Sequence, residues 1–223
     1  LGTFNVSTCV ALVVASLGQK VAKHGNRAVS SRCGSFDLLE ELGIAFDTNP
    51  EQAQKSLDQF GICFLFAPAF HPILKTVGPL RKQLGVRTIF NALGPLLNPV
   101  GVGRQLVGVY SNKLLRPVAE TLKKLGTLEA LVVCGENGED EISLIAPTQA
   151  IHLKEGVLKD YVFRAHSSPF SEALEISKNS PPVKIQYGIQ GGDASANAQI
   201  LFSILKGEPG PPRAMTLFNA GAA

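Results

Sequence analysis

The order strand, helix, strand between Gln105 and Val133 constrains the fold of this chain most. Gln105–Tyr110 and Leu128–Val133 are short apolar runs, and Leu114–Leu125 between them has helical spacing and stops at Gly126. An apolar strand needs cover on both faces, and two such strands joined by a helix run parallel. The chain therefore predicts an α/β fold with a largely parallel central sheet flanked by helices. Upstream, a helix is expected over Val10–Leu17, opened by Asn5 or Ser7 and closed by Gly18. A short strand follows at Lys20–Ala22, then a helix over Phe36–Leu42 with Ser35 as its N-cap and Gly43 as its stop. Pro50–Phe60 reads as an amphipathic helix ending at Gly61, and Ile62–Ala67 as a buried strand stopped by Pro68. Pro72–Leu84 has a helical pattern broken by Gly78-Pro79. Beyond Pro147 the pattern is less regular, with short strands at Ile151–Leu153 and Tyr161–Phe163 and a linker signal at Ser177–Pro182. A helix over Ala194–Leu205 ends at Gly207, and a last one starts near Ala214.

Composition narrows the class. In 223 residues, 45% hydrophobic and 17% charged side chains describe a chain that buries a core rather than a disordered one. A net charge of +3 is too small to argue for nucleic acid. Cys9, Cys33, Cys63 and Cys134 form no C-x-x-C pair, so reduced thiols are expected and a zinc site is not. Val10–Leu17 is too short to span a bilayer, and the N-terminus lacks the basic region of a signal peptide.

Chemistry concentrates in Lys23-His24-Gly25-Asn26-Arg27-Ala28-Val29-Ser30-Ser31. Lys and Arg give charge-assisted donors to phosphate oxygens, Gly lets backbone N–H groups come close, and Ser adds neutral donors. Ser35, opening the next helix, places the loop at a helix N-terminus, which attracts anions. Asn26 suits an amine or carbonyl better than a phosphate. Asn5, Ser7 and Thr8 open the first helix, and read alone they are simple caps. Gly135-Glu136-Asn137-Gly138-Glu139-Asp140-Glu141 follows an apolar strand. Its carboxylates repel one another unless solvated or bridged by a cation. Its place at a strand end favours a site, and adjacent hard carboxylates suit Mg²⁺. Glu136 and Glu139 read as surface residues.

These motifs resemble the anthranilate phosphoribosyltransferase family. The resemblance rests on KHGNRAVSS (Lys23–Ser31), FNVST (Phe4–Thr8), the long block Phe66–Pro99 and GEDEIS (Gly138–Ser143), and extends weakly to GGDASANA (Gly191–Ala198) and LFNAGAA (Leu217–Ala223). It implies a nucleoside phosphorylase/phosphoribosyltransferase catalytic domain over residues 1–223, incomplete at both ends. A glycine-rich phosphate loop and a helical subdomain would precede Leu1. The implied reaction moves the 5-phosphoribosyl group of phosphoribosyl pyrophosphate (PRPP) to the amine of anthranilate, releasing pyrophosphate, with Mg²⁺ as cofactor. By the same resemblance Thr3, Asn5, Ser7, Thr8, Lys23, Gly25, Asn26, Arg27, Ser30, Ser31 and Ser35 hold PRPP. Asn26, His71 and Arg81 meet anthranilate, Arg81 through its carboxylate, with Phe70 and Leu74 as apolar wall. Ser7, Asp140 and Glu141 reach the metal. No residue stands out as a general base. The family implies a cytoplasmic homodimer without nucleic-acid or membrane partners. The alternatives are a pyrimidine nucleoside phosphorylase-like enzyme, a non-catalytic nucleic-acid-binding homologue, and an incomplete fragment that is inactive as it stands.

Overall fold

The computed structural model describes residues 2–28, 31–73, 93–165 and 182–223. Val29, Ser30, most of the expected Pro72–Leu84 helix with Leu74 and Arg81, and most of the Ser177–Pro182 linker lie outside the described residues.

The described elements run α1 (Val6–Ser16), β1 (Val21–Gly25), α2 (Ser35–Glu41), α3 (Pro50–Phe60), β2 (Ile62–Phe66), α4 (Ala67–Phe70), β3 (Arg104–Gly108), α5 (Leu115–Lys124), β4 (Glu129–Gly135), β5 (Thr148–Lys154), β6 (Val157–Phe163), α6 (Pro182–Gly188), α7 (Ala194–Leu205) and α8 (Pro211–Ala222). The α/β class stands. Strands β1 and β2 pair in parallel, from Val21 opposite Ile62 to Gly25 opposite Phe66. Strands β3 and β4 also pair in parallel, with α5 as the crossover between them. The second sheet is mixed, however: β4 pairs antiparallel with β5, and β5 with β6. The two short strands expected after Pro147 are a hairpin of two seven-residue strands joined by Glu155-Gly156, both at positive φ (50° and 75°). That backbone is the mirror-image hairpin turn, for which Glu-Gly is a weak sequence signal.

Several boundaries moved for local reasons. Strand β1 runs three residues past Ala22, because Lys23, His24 and Gly25 find ladder partners in Phe64, Leu65 and Phe66. Gly34, not Ser35, is the N-cap of α2, and Ser35 is its first residue. Helix α3 keeps its expected limits: the Asn49 side chain accepts from the Gln52 N–H at 3.0 Å, and Gly61 takes the left-handed conformation at its C-cap.

The second sheet is covered on both faces. Val107, Ala130, Val132, Ile151 and Leu153 pack against Val118, Ala119 and Leu122 of α5. On the other face Val133 and Ala150 share a core with Val6, Cys9 and Val10 of α1, Leu201 of α7, and Met215 and Phe218 of α8. The core that seats α1 also contains Ile142, next to the acidic pair. Residues 2–4 run antiparallel beside 189–191: the Phe4 N–H donates to Ile189 C=O at 3.1 Å and the Gly191 N–H to Gly2 C=O at 2.7 Å. FNVST and GGDASANA, distant in sequence, are therefore neighbours.

Candidate active site

Of the signature segment, Lys23, His24 and Gly25 lie on β1, and residues 26–28 lie in the loop that follows. On β1, Lys23 reaches the start of α1, where its Nζ donates to Ser7 Oγ at 3.1 Å. Burial pushes the Lys23 ammonium down to about 8, partly opposed by the neighbouring Cys9. The Cys9 thiol, buried in the core, is pushed up to about 12. A cation and a hydroxyl thus meet at the N-terminus of α1, where the helix dipole adds positive potential.

Beyond Gly25 the loop folds onto α2. A Cβ on Gly25 would sit 3.1 Å from the Phe36 ring, and one on Gly34 would overlap the backbone of Arg27 and Ala28. The Asp37 carboxylate holds this arrangement, accepting from the Gly34 N–H at 2.7 Å and the Ala28 N–H at 2.8 Å. Sequence reasoning missed Asp37, although an acid in the first turn of a helix after a donor-rich loop was a usable signal. The Asn26 Oδ1 accepts from the Arg27 N–H at 2.8 Å, and Asn26 is exposed at the loop tip. Arg27 does not join Lys23 and Ser7: its guanidinium pairs with Glu40 and lies 4.9 Å over the Phe66 ring. Its pairing with Glu40 pushes its pKa up further. Ser31 is exposed and its hydroxyl donates to Cys33 C=O at 3.4 Å, while Ser35 is half-buried beside Gly25.

His24 and His71 meet at the other side of β1. Their rings are 5.1 Å apart and nearly perpendicular. Burial, helped by His71, pushes His24 down to about 4, and its Nε2 is buried with no hydrogen-bond partner. His71, the C-cap of α4, is fixed by its Nε2, which donates to Leu97 C=O at 2.7 Å. Asn98 donates to Ala22 C=O at 2.9 Å, tying the Gly94–Leu97 turn to the same strand. The two rings, His24 on β1 and His71 at the end of α4, form an edge-to-face pair, each half-buried. Sequence reasoning had named His71 and passed over His24.

The acidic loop differs from its expected form. Glu136 is exposed, but Glu139 is 3% exposed, so it is not a surface residue. Glu141 is half-buried, and the Oε2 atoms of both Glu139 and Glu141 are buried without a partner. Burial, then Asp140, then Glu139 hold the Glu141 carboxyl well above the usual range. The loop is braced from three directions. A Cβ on Gly108, at the end of β3, would overlap the Asp140 carbonyl, so glycine there admits the loop. The Gly135 N–H donates to Glu139 C=O at 2.8 Å. Asn219 of α8 reads both polar groups of Ile142: its Oδ1 accepts from the Ile142 N–H at 2.8 Å and its Nδ2 donates to Ile142 C=O at 3.0 Å. Unpartnered hard oxygens that repel one another fit a divalent cation. Among the described residues no three His, Cys, Asp or Glu side chains close a ready-made cage. Mg²⁺ is usually held by one or two carboxylates together with water and substrate phosphates, which this loop can supply and accept.

Thr3 bridges to Gln190 at the edge of this region. Thr8 is fully buried, with its Oγ1 unpartnered. Asn5 is the N-cap of α1 but makes no side-chain cap; its amide goes to Asn197 and Cys33 instead. Ser30 and Arg81 lie outside the described residues.

The two-sheet α/β scaffold thus sets a basic strand end at the N-terminus of α1, folds a donor-rich loop onto α2, and packs an acidic loop into the same core as α1. The model of the glycosyl transferase family, a/b domain, matches residues 1–223, and the chain belongs to that family. Within it the chain is 48% identical over 221 residues to the anthranilate phosphoribosyltransferase of Desulfatibacillum aliphaticivorans, and 47% identical to that of a Bradyrhizobium strain. These alignments take in 99% and 100% of this chain but 62% and 63% of the relatives, so the chain spans less than two thirds of their length. Among solved structures, that of anthranilate phosphoribosyltransferase from Thermus thermophilus superposes with a TM-score of 0.84 at 41% identity, over 100% of this chain and 63% of that one. The Saccharomyces cerevisiae enzyme in complex with PRPP and Mg superposes at 0.82 with 31% identity, over 99% of this chain and 60% of that one. A further structure of the yeast enzyme holds 4-fluoroanthranilate. No helix among the described residues is long and apolar enough to cross a membrane.

Proposed function

We propose that the protein carrying this chain is an anthranilate phosphoribosyltransferase, transferring the 5-phosphoribosyl group of PRPP to the amine of anthranilate and releasing pyrophosphate in tryptophan biosynthesis. The observation that carries the reading is the meeting of Lys23 Nζ and Ser7 Oγ at the N-terminus of α1, with the acidic loop packed into the same core. It is supported by relatives of that name and by the yeast complexes with PRPP and Mg and with 4-fluoroanthranilate.

In this reading Thr3, Asn5, Ser7, Lys23, Gly25, Asn26, Ser30, Ser31 and Ser35 surround PRPP. Thr8, whose hydroxyl is buried and unpartnered, reaches PRPP only if the start of α1 shifts to expose it. Arg27 anchors the loop through Glu40 and reaches PRPP only by leaving that pair. Lys23 and the serine donors stabilise charge as it develops on the departing pyrophosphate, an electrostatic effect that preorganised donors supply best. Ser7, Asp140 and Glu141 would hold Mg²⁺, which when bound neutralises phosphate charge. Asn26, His71 and Arg81 orient the arylamine and its carboxylate, so the nitrogen faces the sugar carbon in line with the breaking bond. A cytoplasmic homodimer, with free thiols at all four cysteines, completes the assignment.

The test is loss of anthranilate fluorescence by the complete protein. The expected result is a decay that requires both PRPP and Mg²⁺. No decay, with phosphorolysis of uridine, would assign the pyrimidine nucleoside phosphorylase-like activity instead. Salt-steep DNA binding without turnover would assign the non-catalytic one.

A further inference from the structure

The Asn5 side chain does not do what its position invites. An asparagine at an N-cap normally accepts a hydrogen bond from its own helix, and α1 receives none from it. Its Oδ1 instead accepts from Asn197 Nδ2 at 2.8 Å and from the Cys33 thiol at 3.4 Å. We infer that Asn197 is a positioning residue that fixes which end of the Asn5 amide faces substrate.

One group in this chain of bonds cannot change role. The backbone N–H of Gly192 can only donate, and it donates to Asn197 Oδ1 at 2.8 Å. The other end of Asn197 is then its NH₂, which donates to Asn5 Oδ1. The oxygen of Asn5 is committed inward, and its NH₂ is the end left over. Among the described residues that NH₂ makes one long bond, to Cys33 C=O at 3.4 Å, so a hydrogen remains for a ligand oxygen. Successive bonds of this kind polarise one another and strengthen the terminal donor. The frame around the relay is tight. Asn197 is 3% exposed. A Cβ on Gly191 would lie 2.9 Å from Asn197 Oδ1 and 2.8 Å from both Phe4 Cα and the Thr3 carbonyl oxygen. Asn197 therefore turns a group that could present either an acceptor or a donor into a donor, the polarity an oxygen-rich polyanion needs. GGDASANA thereby acts on FNVST across the chain without touching the ligand.

The inference rests on the reading that the start of α1 binds PRPP. The experiment uses the complete protein with Asn197→Asp and Asn197→Leu, kcat and KM for both substrates, and side-chain NH₂ signals from ¹⁵N-asparagine labelling. In Asn197→Asp the carboxylate still accepts from Gly192 but cannot donate. Asn5 then turns its NH₂ inward and offers its oxygen to substrate. KM for PRPP should rise about 10- to 100-fold, the range expected when a bond to a charged group is lost, with KM for anthranilate within about twofold. Asn197→Leu, which removes the relay without reversing it, should raise KM for PRPP less. In the unsubstituted protein one Asn5 NH₂ signal should move on adding PRPP; in Asn197→Asp it should stay still at saturating PRPP. An Asn5 signal that still moves in Asn197→Asp, or an unchanged KM in both variants, overturns the relay while leaving the functional reading intact. An unsubstituted protein that binds no PRPP overturns the substrate assignment and the relay with it.

Discussion

At the residue scale, Lys23 is held at a cost to the fold. Its folded pKa of about 8 lies below the 10.5 of a free lysine, so between these values the unfolded chain binds the extra proton and stability rises with pH. Below about pH 8 the full penalty is present. Lys23→Met should therefore stabilise the fold at pH 7 by roughly 1–2 kcal/mol after allowance for solvent screening, seen as a raised melting temperature, while weakening PRPP binding at least tenfold. Calorimetry and a binding titration on the same variant check both halves. In the unsubstituted protein PRPP affinity should fall as pH passes 8 and the ammonium is lost. Asp37 has the opposite character: it contributes to stability and to loop shape together. Asp37→Ala leaves the Ala28 and Gly34 N–H groups without their acceptor and should cost about 1–3 kcal/mol, seen as a lower denaturation midpoint, with a raised KM for PRPP.

At the scale of elements, the acidic loop depends on what surrounds it. Gly108→Ala places a methyl group where the Asp140 carbonyl lies. Overpacking of this kind costs about 1–3 kcal/mol, and here it also displaces the loop. Mg²⁺ dependence of the rate should shift to higher Mg²⁺, while PRPP contacts at Lys23 persist; an unshifted Mg²⁺ titration would mean that Gly108 only packs. Glu139 is buried beside Asp140 and Glu141 with an unpartnered oxygen. Glu139→Leu removes that buried, unpartnered oxygen and should stabilise the fold by about 1–3 kcal/mol, seen as a raised unfolding midpoint.

At the scale of the whole molecule, the fold was legible where periodicity and punctuation agree. Helices α3 and α7 keep their expected limits, because Asn49 and Asp193 cap them and Gly61 and Gly207 mark their ends. The β5–β6 hairpin was only partly legible: β6 is mostly exposed and carries no alternation, and its turn lacks the usual Asn-Gly. The site was legible as motifs but not as geometry. Nothing local says that Arg27 turns to Glu40, that Glu139 is buried, or that Asn197 reaches Asn5 across 192 positions. Such contacts are set by tertiary packing of α1, α2, α7 and α8. The central claim is that the basic strand end and the acidic loop form one PRPP site. Its most direct test is PRPP affinity of the complete protein with and without Mg²⁺, beside the same measurement on the Asp140→Asn, Glu141→Gln double variant. Mg²⁺ should tighten PRPP binding by about tenfold or more, the value of one charge-assisted contact, and the double variant should lose that gain while keeping the Mg²⁺-free affinity. Equal Mg²⁺ enhancement in both proteins would contradict the account.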